Sequence, residues 1–217
     1  MSEFTLHTNP ISPYGRAVMI TLEEKGADYL LAPVPVGTLK SEPHLSRHPF
    51  GMIPALAHGD FMLYETQAIL RYLDRAVPAH SLTPAHIKAA ARMDQLMNIN
   101  DIYLFLGFNR IVGFHRIVGP RFMGTTPDED AITAAMPMGH TTFNELGRLL
   151  GGKAYFVGDT PSLADFMIAP QLDFLAQIPE WDALTASNAN LVSWLERMKA
   201  RPSMVKTSME KLLAEAA

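Results

Sequence analysis

The sequence predicts an α/β domain followed by an all-helical domain, and three observations support this prediction. Strand-like and helix-like segments alternate as far as residue 77. Residues 78–83 contain proline without any amphipathic pattern, which is typical of a linker. Beyond residue 83 almost all of the apolar periodicity is helical. The chain of 217 residues is therefore expected to form domains at 1–77 and 84–217, joined by a linker at 78–83.

The first domain is expected to run β-α-β and then β-β-α. Phe4 and Leu6 alternate with polar residues, which predicts the first strand. Ser12 and Pro13 form an N-cap and first-turn pair, so a helix is expected from there to Gly26. The other predicted elements are a proline-containing edge strand at 29–36, a hairpin with strands at 55–57 and 61–63, and a helix at 66–76 with Ile69, Leu70, Tyr72 and Leu73 facing inward.

The second domain is expected to consist of helices. Thr83-Pro84 and Thr126-Pro127 each combine an N-cap residue with a proline suited to the first helical position, which predicts long helices near 84–119 and 127–150. Ser162 and Asp165 have the spacing of a capping box and predict a helix to about residue 177. The remaining helices are expected at about 188–200, where Arg201-Pro202 ends the pattern, and near the carboxyl end.

Composition excludes several classes of function. The chain has no cysteine, so any thiol that takes part in its chemistry must come from another molecule. Lys and Arg number 18 against 22 Asp and Glu, without a basic cluster, so binding to nucleic acid is not expected. The longest uncharged apolar stretch, 102–108, is far shorter than the ~20 residues of a membrane-spanning helix. No signal peptide is visible, and a cytoplasmic location away from membranes is expected.

Two segments resemble ligand-binding motifs without meeting their chemical requirements. Residues 147–154 (GRLLGGKA) nearly match a phosphate-binding loop, but Ala154 lacks the hydroxyl that holds magnesium and the segment continues a helical pattern. His44 and His48 have the spacing of zinc ligands but lack the accompanying glutamate, and Pro49 ends the helix. We therefore expect a helix C-cap in the first segment, surface histidines in the second, and no metal site.

Three places in the first domain have the chemistry to bind a peptide-like ligand. Ser12 begins a helix directly after a strand, where backbone N–H groups favour an anion, although a purely structural N-cap fits the pattern equally well. Pro54 precedes a strand, and a cis peptide there would expose the N–H and C=O of Ile53. Glu65 and Thr66 open another helix and offer a carboxylate, a hydroxyl and free N–H groups to an amino-acid end group.

At these positions the sequence resembles the cytosolic glutathione transferases, most closely those of the phi- and theta-like, serine-using type. The resemblance rests on SPYGRAV (12–18), EKG (24–26), the segment 37–56, YETQAILRYL (64–73), GDTPSLADF (158–166), and Trp194 with Arg201-Pro202. It implies a thioredoxin-like βαβαββα domain that binds glutathione as co-substrate. It also implies an all-α domain that shapes the site for the electrophile.

The resemblance further implies a role for individual residues. Ser12 would hold the glutathione thiolate while its sulfur attacks a small hydrophobic electrophile, with Tyr14 as the rival hydroxyl. The other implied glutathione contacts are Lys40 to the glycyl carboxylate, Ile53 before Pro54 to the cysteinyl unit, Glu65 and Thr66 to the γ-glutamyl end, and the adjoining Met52. The implied electrophile pocket comprises Tyr103, Phe105, Phe108, Ile111 and Phe114, and Phe50 would insert into the partner subunit of a homodimer. Ser162 and Asp165 correspond to a folding element without catalytic chemistry.

Three positions depart from the phi-like pattern, which has His where Leu39 stands, Gln where Met52 stands and Ser where Thr66 stands. The first two departures remove polar contacts. At ~0.5–1.5 kcal/mol for each lost hydrogen bond, glutathione would bind about 5- to 100-fold more weakly than in a relative with the full set. These departures keep open a non-catalytic binding or stress protein of the same fold. Another glutathione-dependent reaction (peroxidase, ether cleavage or dehalogenation) also stays open, because the same thiolate could act on a different acceptor.

Overall fold

The computed structural model describes residues 3–215 and divides into two compact units. Among the described residues, the first unit comprises 3–83 together with 200–215. The second comprises Pro84–Lys199. The division before Pro84 falls where the predicted linker ends, whereas the placement of the carboxyl-terminal residues differs from the prediction.

A mixed four-stranded sheet organises the first unit, with strands in the order β2-β1-β3-β4. Its strands are β1 (Phe4–Thr8), β2 (Tyr29–Pro33), β3 (Ala55–His58) and β4 (Phe61–Tyr64). β1 is parallel to β2 and antiparallel to β3, and β3 is antiparallel to β4. Pro33, the last residue of β2, is tolerated because this strand lies at the edge of the sheet, as predicted.

The helices of this unit include α1 (Pro13–Lys25), α2 (His44–Arg47) and α3 (Thr66–Ala76), with a 3₁₀ turn at Val36–Thr38. α1 and α3 pack against each other. Ile69, Leu70 and Leu73 are fully buried, as their spacing predicted. Tyr72 is only half-buried, contrary to the prediction, because its hydroxyl lies 2.6 Å from Nδ1 of His58 in the sheet.

Helices organise the second unit. They are α4 (Ile87–Ile99), a π-helical segment (Asn100–Asn109), α5 (Arg110–Gly113), a second π-helical segment (Phe114–Met123), α6 (Glu129–Leu150), α7 (Leu163–Leu175), α8 (Trp181–Thr185) and α9 (Ala189–Lys199). The stretch from Ile87 to Met123 is therefore continuously helical, with α- and π-type turns alternating. Sequence reasoning did not predict α8.

The two predicted N-caps of the long helices are wrong by two or three residues. The Thr83 hydroxyl donates to Asp74 at 2.7 Å, so it does not cap a helix, and α4 begins at Ile87. α6 begins after Asp128, whose carboxylate accepts a hydrogen bond of 3.0 Å from the N–H of Ala131. In the first case Asp74 binds the expected cap residue, and in the second Asp128 caps the helix in place of Thr126.

A buried hydrogen-bond network confirms the capping box at the start of α7. Asp165 Oδ2 accepts bonds of 2.9 Å from both the N–H and the hydroxyl of Ser162. Asp165 Oδ1 accepts bonds of 3.1 Å from the N–H of Phe156 and 3.0 Å from Nε1 of Trp194 on α9. One carboxylate therefore ties the start of α7 to α9 and to the preceding loop.

The carboxyl-terminal helices α10 (Pro202–Lys206) and α11 (Met209–Glu215) belong to the first unit rather than to the helical domain predicted at 84–217. Arg201 forms an ion pair of 2.6 Å with Glu24 on α1, and buried Arg16 donates to the carbonyl of Met204 at 3.0 Å. Burial acts to raise the pKa of Glu24, but hydrogen bonds from Arg201 and from a neighbouring serine hold it below its ordinary value. These long-range contacts with α1 explain the difference.

Candidate functional site

The implied glutathione-binding residues of the first unit lie at one edge of its sheet. β1 and β4 run in the same direction because each is antiparallel to β3, and Ala55, the first residue of β3, pairs near the ends of both. Ser12 follows β1, Ile53 precedes β3 and Glu65 follows β4. In α/β sheets this edge, at the carboxyl ends of the parallel strands, is where ligands bind.

Ser12 caps α1 and keeps a proton available for a ligand. Its Oγ accepts a hydrogen bond of 3.0 Å from the N–H of Gly15, which confirms the predicted N-cap. Its own O–H has no acceptor among the described residues. The hydroxyl is therefore positioned to donate to an anion at the positive end of a 13-residue helix. Tyr14, the rival hydroxyl, is also half-buried.

The backbone at Ile53 is unpaired within the part of the chain that the structure describes. The Ile53–Pro54 peptide bond is cis, as predicted. Neither the N–H nor the C=O of Ile53 has a hydrogen-bond partner among residues 3–215. Because backbone polar groups are seldom left unpaired away from water, half-buried Ile53 offers a donor and an acceptor to an extended peptide-like ligand.

Two histidines fix the loop before Ile53, and the prediction that they lie on the surface is wrong. His44 and His48 are 2% and 3% exposed, because their loop packs against β4. His44 Nε2 donates to the carbonyl of Met52 at 2.7 Å, and His48 packs on the ring of Tyr64 at 4.8 Å. Burial and then the charge of His44 lower the pKa of His48. His44 is therefore a positioning residue that its zinc-like spacing did not reveal.

Lys40 brings a positive charge to the same loop. Its ammonium donates to the carbonyl of Phe50 and, with three N–H groups in all, keeps donors for a carboxylate. The side chain lies across Gly51, which has a φ of 58°. A Cβ on Gly51 would lie 2.5 Å from the carbonyl oxygen of Leu39 and 2.7 Å from Cδ of Lys40, so only glycine fits there.

Glu65 occupies a strained conformation directly before α3. Its φ of 71° and ψ of 110° make it the one non-glycine with positive φ among the described residues. Such backbone costs about 1–3 kcal/mol and clusters at ligand-binding sites. The Glu65 carboxylate and the hydroxyl of buried Thr66 have no partner among the described residues. Together they form a polar cluster at the start of α3, where the helix dipole favours an anion.

The residues implied for the electrophile pocket lie in the second unit and differ in exposure. Tyr103 and Phe114 are exposed, and Phe105 and Ile111 are half-buried. Phe108 is fully buried, so its implied place in an open pocket is wrong.

The burial of Phe108 has a packing cause. Its ring lies edge-on to that of Phe143, with the centroids 6.2 Å apart. Gly139 lets the ring approach α6, since a Cβ there would lie 2.6 Å from it. Sequence reasoning instead missed Ile102 and Leu106, apolar side chains that are each 51% exposed and one helical turn apart.

Comparison with known proteins agrees with this geometry. Residues 6–81 match the family model "Glutathione S-transferase, N-terminal domain", and residues 129–202 match "Glutathione S-transferase, C-terminal domain". Glutathione S-transferase F14 of Arabidopsis thaliana is 31% identical over 202 residues, which cover 90% of this chain and 79% of that protein. The chain belongs to the glutathione S-transferase family.

Solved structures confirm the glutathione transferase fold. Glutathione transferase F7 of Populus trichocarpa is 26% identical, with a TM-score of 0.84 and coverage of 94% of this chain and 97% of that one. A glutathione S-transferase I bound with lactoylglutathione is 25% identical, with a TM-score of 0.84 and coverage of 95% and 99%. In residues 3–215 of this transferase, no helix is long and apolar enough to cross a membrane.

Proposed function

We propose that this glutathione transferase joins the sulfur of glutathione to small hydrophobic electrophiles, with Ser12 stabilising the thiolate in a serine-type site like that of the phi and theta classes. The observation that carries the proposal is the Ser12 hydroxyl, which caps α1 and has no acceptor for its own proton among the described residues. In the reaction the thiol proton passes to solvent. The sulfur then uses an electron pair to form a bond to carbon as the leaving group departs with its own pair.

The magnitudes support this role for Ser12. A free thiol has a pKa of ~8.5, and lowering it by two units requires about 2.7 kcal/mol. A hydrogen bond to a charged group contributes about 1.5–3 kcal/mol, and a helix N-terminus adds about 0.3–1 kcal/mol. The two together are sufficient, so Ser12 need not act as a base.

The rest of glutathione matches the unpaired groups at the same edge of the sheet. The backbone N–H and C=O of Ile53 would pair with the cysteinyl unit as a short extended strand would. Lys40 would hold the glycyl carboxylate. Glu65 and Thr66 would hold the ammonium and carboxylate of the γ-glutamyl end, which explains why strained backbone is retained at Glu65.

The electrophile is assigned to the apolar side chains of the helical stretch in the second unit. Exposed Tyr103 and Phe114, with half-buried Phe105 and Ile111, offer aromatic and aliphatic surface, and exposed Ile102 and Leu106 extend it. Such a surface favours hydrophobic acceptors. A cytoplasmic location remains a prediction of the sequence.

Calorimetric titration with glutathione tests the proposed site. We expect binding weaker than in relatives with the full polar set, because Leu39 and half-exposed Met52 supply no hydrogen bond from their side chains. Leu39→His and Met52→Gln together should strengthen binding about 5- to 100-fold, at ~0.5–1.5 kcal/mol for each restored bond.

Ile87→Gln is the control for this titration, since it places an equivalent amide on a side chain that is 80% exposed in the other unit. It should leave glutathione affinity unchanged. If millimolar glutathione gives neither heat nor thermal stabilisation, the proposed activity is wrong, and the alternative of a non-catalytic protein of this fold is favoured.

We also propose a homodimer in which Phe50 inserts into the partner subunit. Phe50 is 63% exposed, yet its ring stands edge-on to His48 and Tyr64, each with a centroid distance of 6.2 Å. A large aromatic side chain held in one orientation and facing outward is typical of an interface anchor.

Phe50→Ala should raise the dissociation constant of the dimer by about 10-fold or more. Sedimentation velocity at micromolar concentration should then show a larger fraction of monomer. The matched control is Phe61→Ala, which removes a ring that is 46% exposed on β4. Equal dissociation constants for Phe50→Ala and the unchanged protein would exclude the anchor.

A further inference from the structure

A depression of about 340 Å³ in the helical unit has an unusual charge distribution. Four of its eight lining residues are cationic and none is acidic. The cationic residues are Lys88, Arg92, Arg148 and Lys153, and the others are Ala89, Leu149, Phe156 and Val157. The depression therefore combines concentrated positive charge with apolar residues, of which Ala89 and Val157 are partly exposed, and none of the residues proposed to bind glutathione lines it.

The four cations come from two places in the chain that the fold brings together. Lys88 and Arg92 lie one turn apart on α4 and therefore share a face. Arg148 is in the last turn of α6, and Lys153 follows the turn that ends that helix. Like charges four residues apart repel each other on a helix, so a bound anion would relieve the repulsion between Lys88 and Arg92.

Three of the cations make hydrogen bonds, but only Arg148 pairs with an opposite charge among these bonds. Arg148 makes two bonds of 2.7 Å to Glu145, and Arg92 donates to the side-chain oxygen of Gln95 at 2.7 Å. Lys153 donates to the carbonyl of Leu149 at 2.5 Å. Lys88 has no partner among the described residues. One carboxylate thus faces four positive charges.

The amino terminus of α4 adds to this positive potential. The helix has 13 residues and begins at Ile87, and the side chain of its N-cap, His86, makes no capping hydrogen bond. Lys88 lies in its first turn, where the helix dipole favours an anion, whereas the N–H of Ala89 already bonds to the carbonyl of His86 at 2.9 Å.

We propose that this cationic pocket binds a small aromatic phosphate ester. The guanidinium groups of Arg92 and Arg148 suit paired contacts to phosphate oxygens, while the partly exposed Ala89 and Val157 contact the aromatic body. The volume lies near the lower end of the ~300–1,000 Å³ typical of small-molecule sites. The inference does not depend on glutathione chemistry.

The segment 147–154 contributes Arg148, Leu149 and Lys153 to this pocket, although it is not a phosphate-binding loop. As predicted, it is the end of a helix, with Gly151 at a φ of 57° as the C-cap of α6. Phosphate is therefore held by the side chains of Arg148 and Lys153. In a phosphate-binding loop, backbone N–H groups would hold it.

Titration of the full-length protein with 1-naphthyl phosphate tests the proposal. We expect saturable binding that weakens between 50 and 200 mM salt, and that weakens about 5- to 10-fold in Lys88→Gln and again in Arg92→Gln. Lys88→Gln is informative even if Arg92→Gln unfolds, because Lys88 is exposed and has no partner among the described residues.

Arg75→Gln is the matched control, since it removes one positive charge from an exposed position on α3. It should leave the affinity for 1-naphthyl phosphate unchanged. Equal weakening by Arg75→Gln and Lys88→Gln would overturn the proposal in favour of general charge attraction. Equal affinity for 1-naphthol, or for inorganic phosphate alone, would also overturn it. Glutathione conjugation should be unchanged in all three variants.

Discussion

Ser12→Ala is expected to lower kcat/KM for conjugation of an aromatic halide by about 10- to 150-fold at pH 7, which corresponds to a lost charge-assisted hydrogen bond of about 1.5–3 kcal/mol. Two further measurements should show that the thiolate has lost its hydrogen bond. The thiolate absorbance of bound glutathione at neutral pH should disappear. The pH profile of kcat/KM should move upward, toward the pKa of ~8.5 of a free thiol.

The capping role of Ser12 must be separated from its role toward the thiolate. Replacing an N-cap serine by alanine costs about 1 kcal/mol of stability, because the N–H of Gly15 loses its acceptor. Ser12→Asp retains a capping oxygen, cannot donate to the sulfur when ionised, and adds a like charge. It should therefore be as stable as the unchanged protein and at least as inactive as Ser12→Ala.

Tyr14 is the other hydroxyl that could hold the thiolate, and its substitution distinguishes the two donors. Tyr14→Phe should retain most of the activity and the thiolate absorbance. If Tyr14→Phe loses both while Ser12→Ala retains them, the thiolate is held by Tyr14. The proposed function would then stand with a different donor.

The sequence predicted those parts of the fold that depend on neighbours in the chain. Ser12 caps α1 because serine before proline needs only the N–H groups that follow it, and Gly26 ends the helix at a φ of 65°. The hairpin, α3 and the capping box at Ser162 are equally local. Thr83 failed as a cap because its hydroxyl bonds to Asp74, nine residues away, which no local pattern shows.

The same distinction applies to the candidate site. The positions of Ser12, Ile53 and Glu65 at one edge follow from strand order, which the resemblance to a known family implied. His44 was placed on the surface because its bond to Met52 depends on how a loop folds back. Phe108 was assigned to the pocket because helical spacing alone does not tell an inward from an outward face. Gly139, which admits its ring, lies 31 positions further along the chain.

Asp165→Ala is expected to lower the free energy of unfolding by about 3–5 kcal/mol, because it leaves four buried donors without an acceptor. These donors are the N–H and hydroxyl of Ser162, the N–H of Phe156 and Nε1 of Trp194. Burial raises the pKa of Asp165, and these same hydrogen bonds oppose the rise. Asp159→Ala, at an exposed position, should change the free energy by less than about 0.5 kcal/mol.

Graded substitutions show whether the carboxylate itself causes the loss. Trp194→Phe removes one donor together with its part of the network and should cost less than Asp165→Asn, in which an amide group faces two donors. Asp165→Ala should cost most. Urea unfolding followed by circular dichroism gives this order, and it can be read from the two milder variants even if Asp165→Ala does not fold.

If Asp165→Asn is as stable as the unchanged protein, the network is not what holds α7 to α9. The burial of α7, whose side chains from Leu163 to Leu172 are all buried, would then be sufficient.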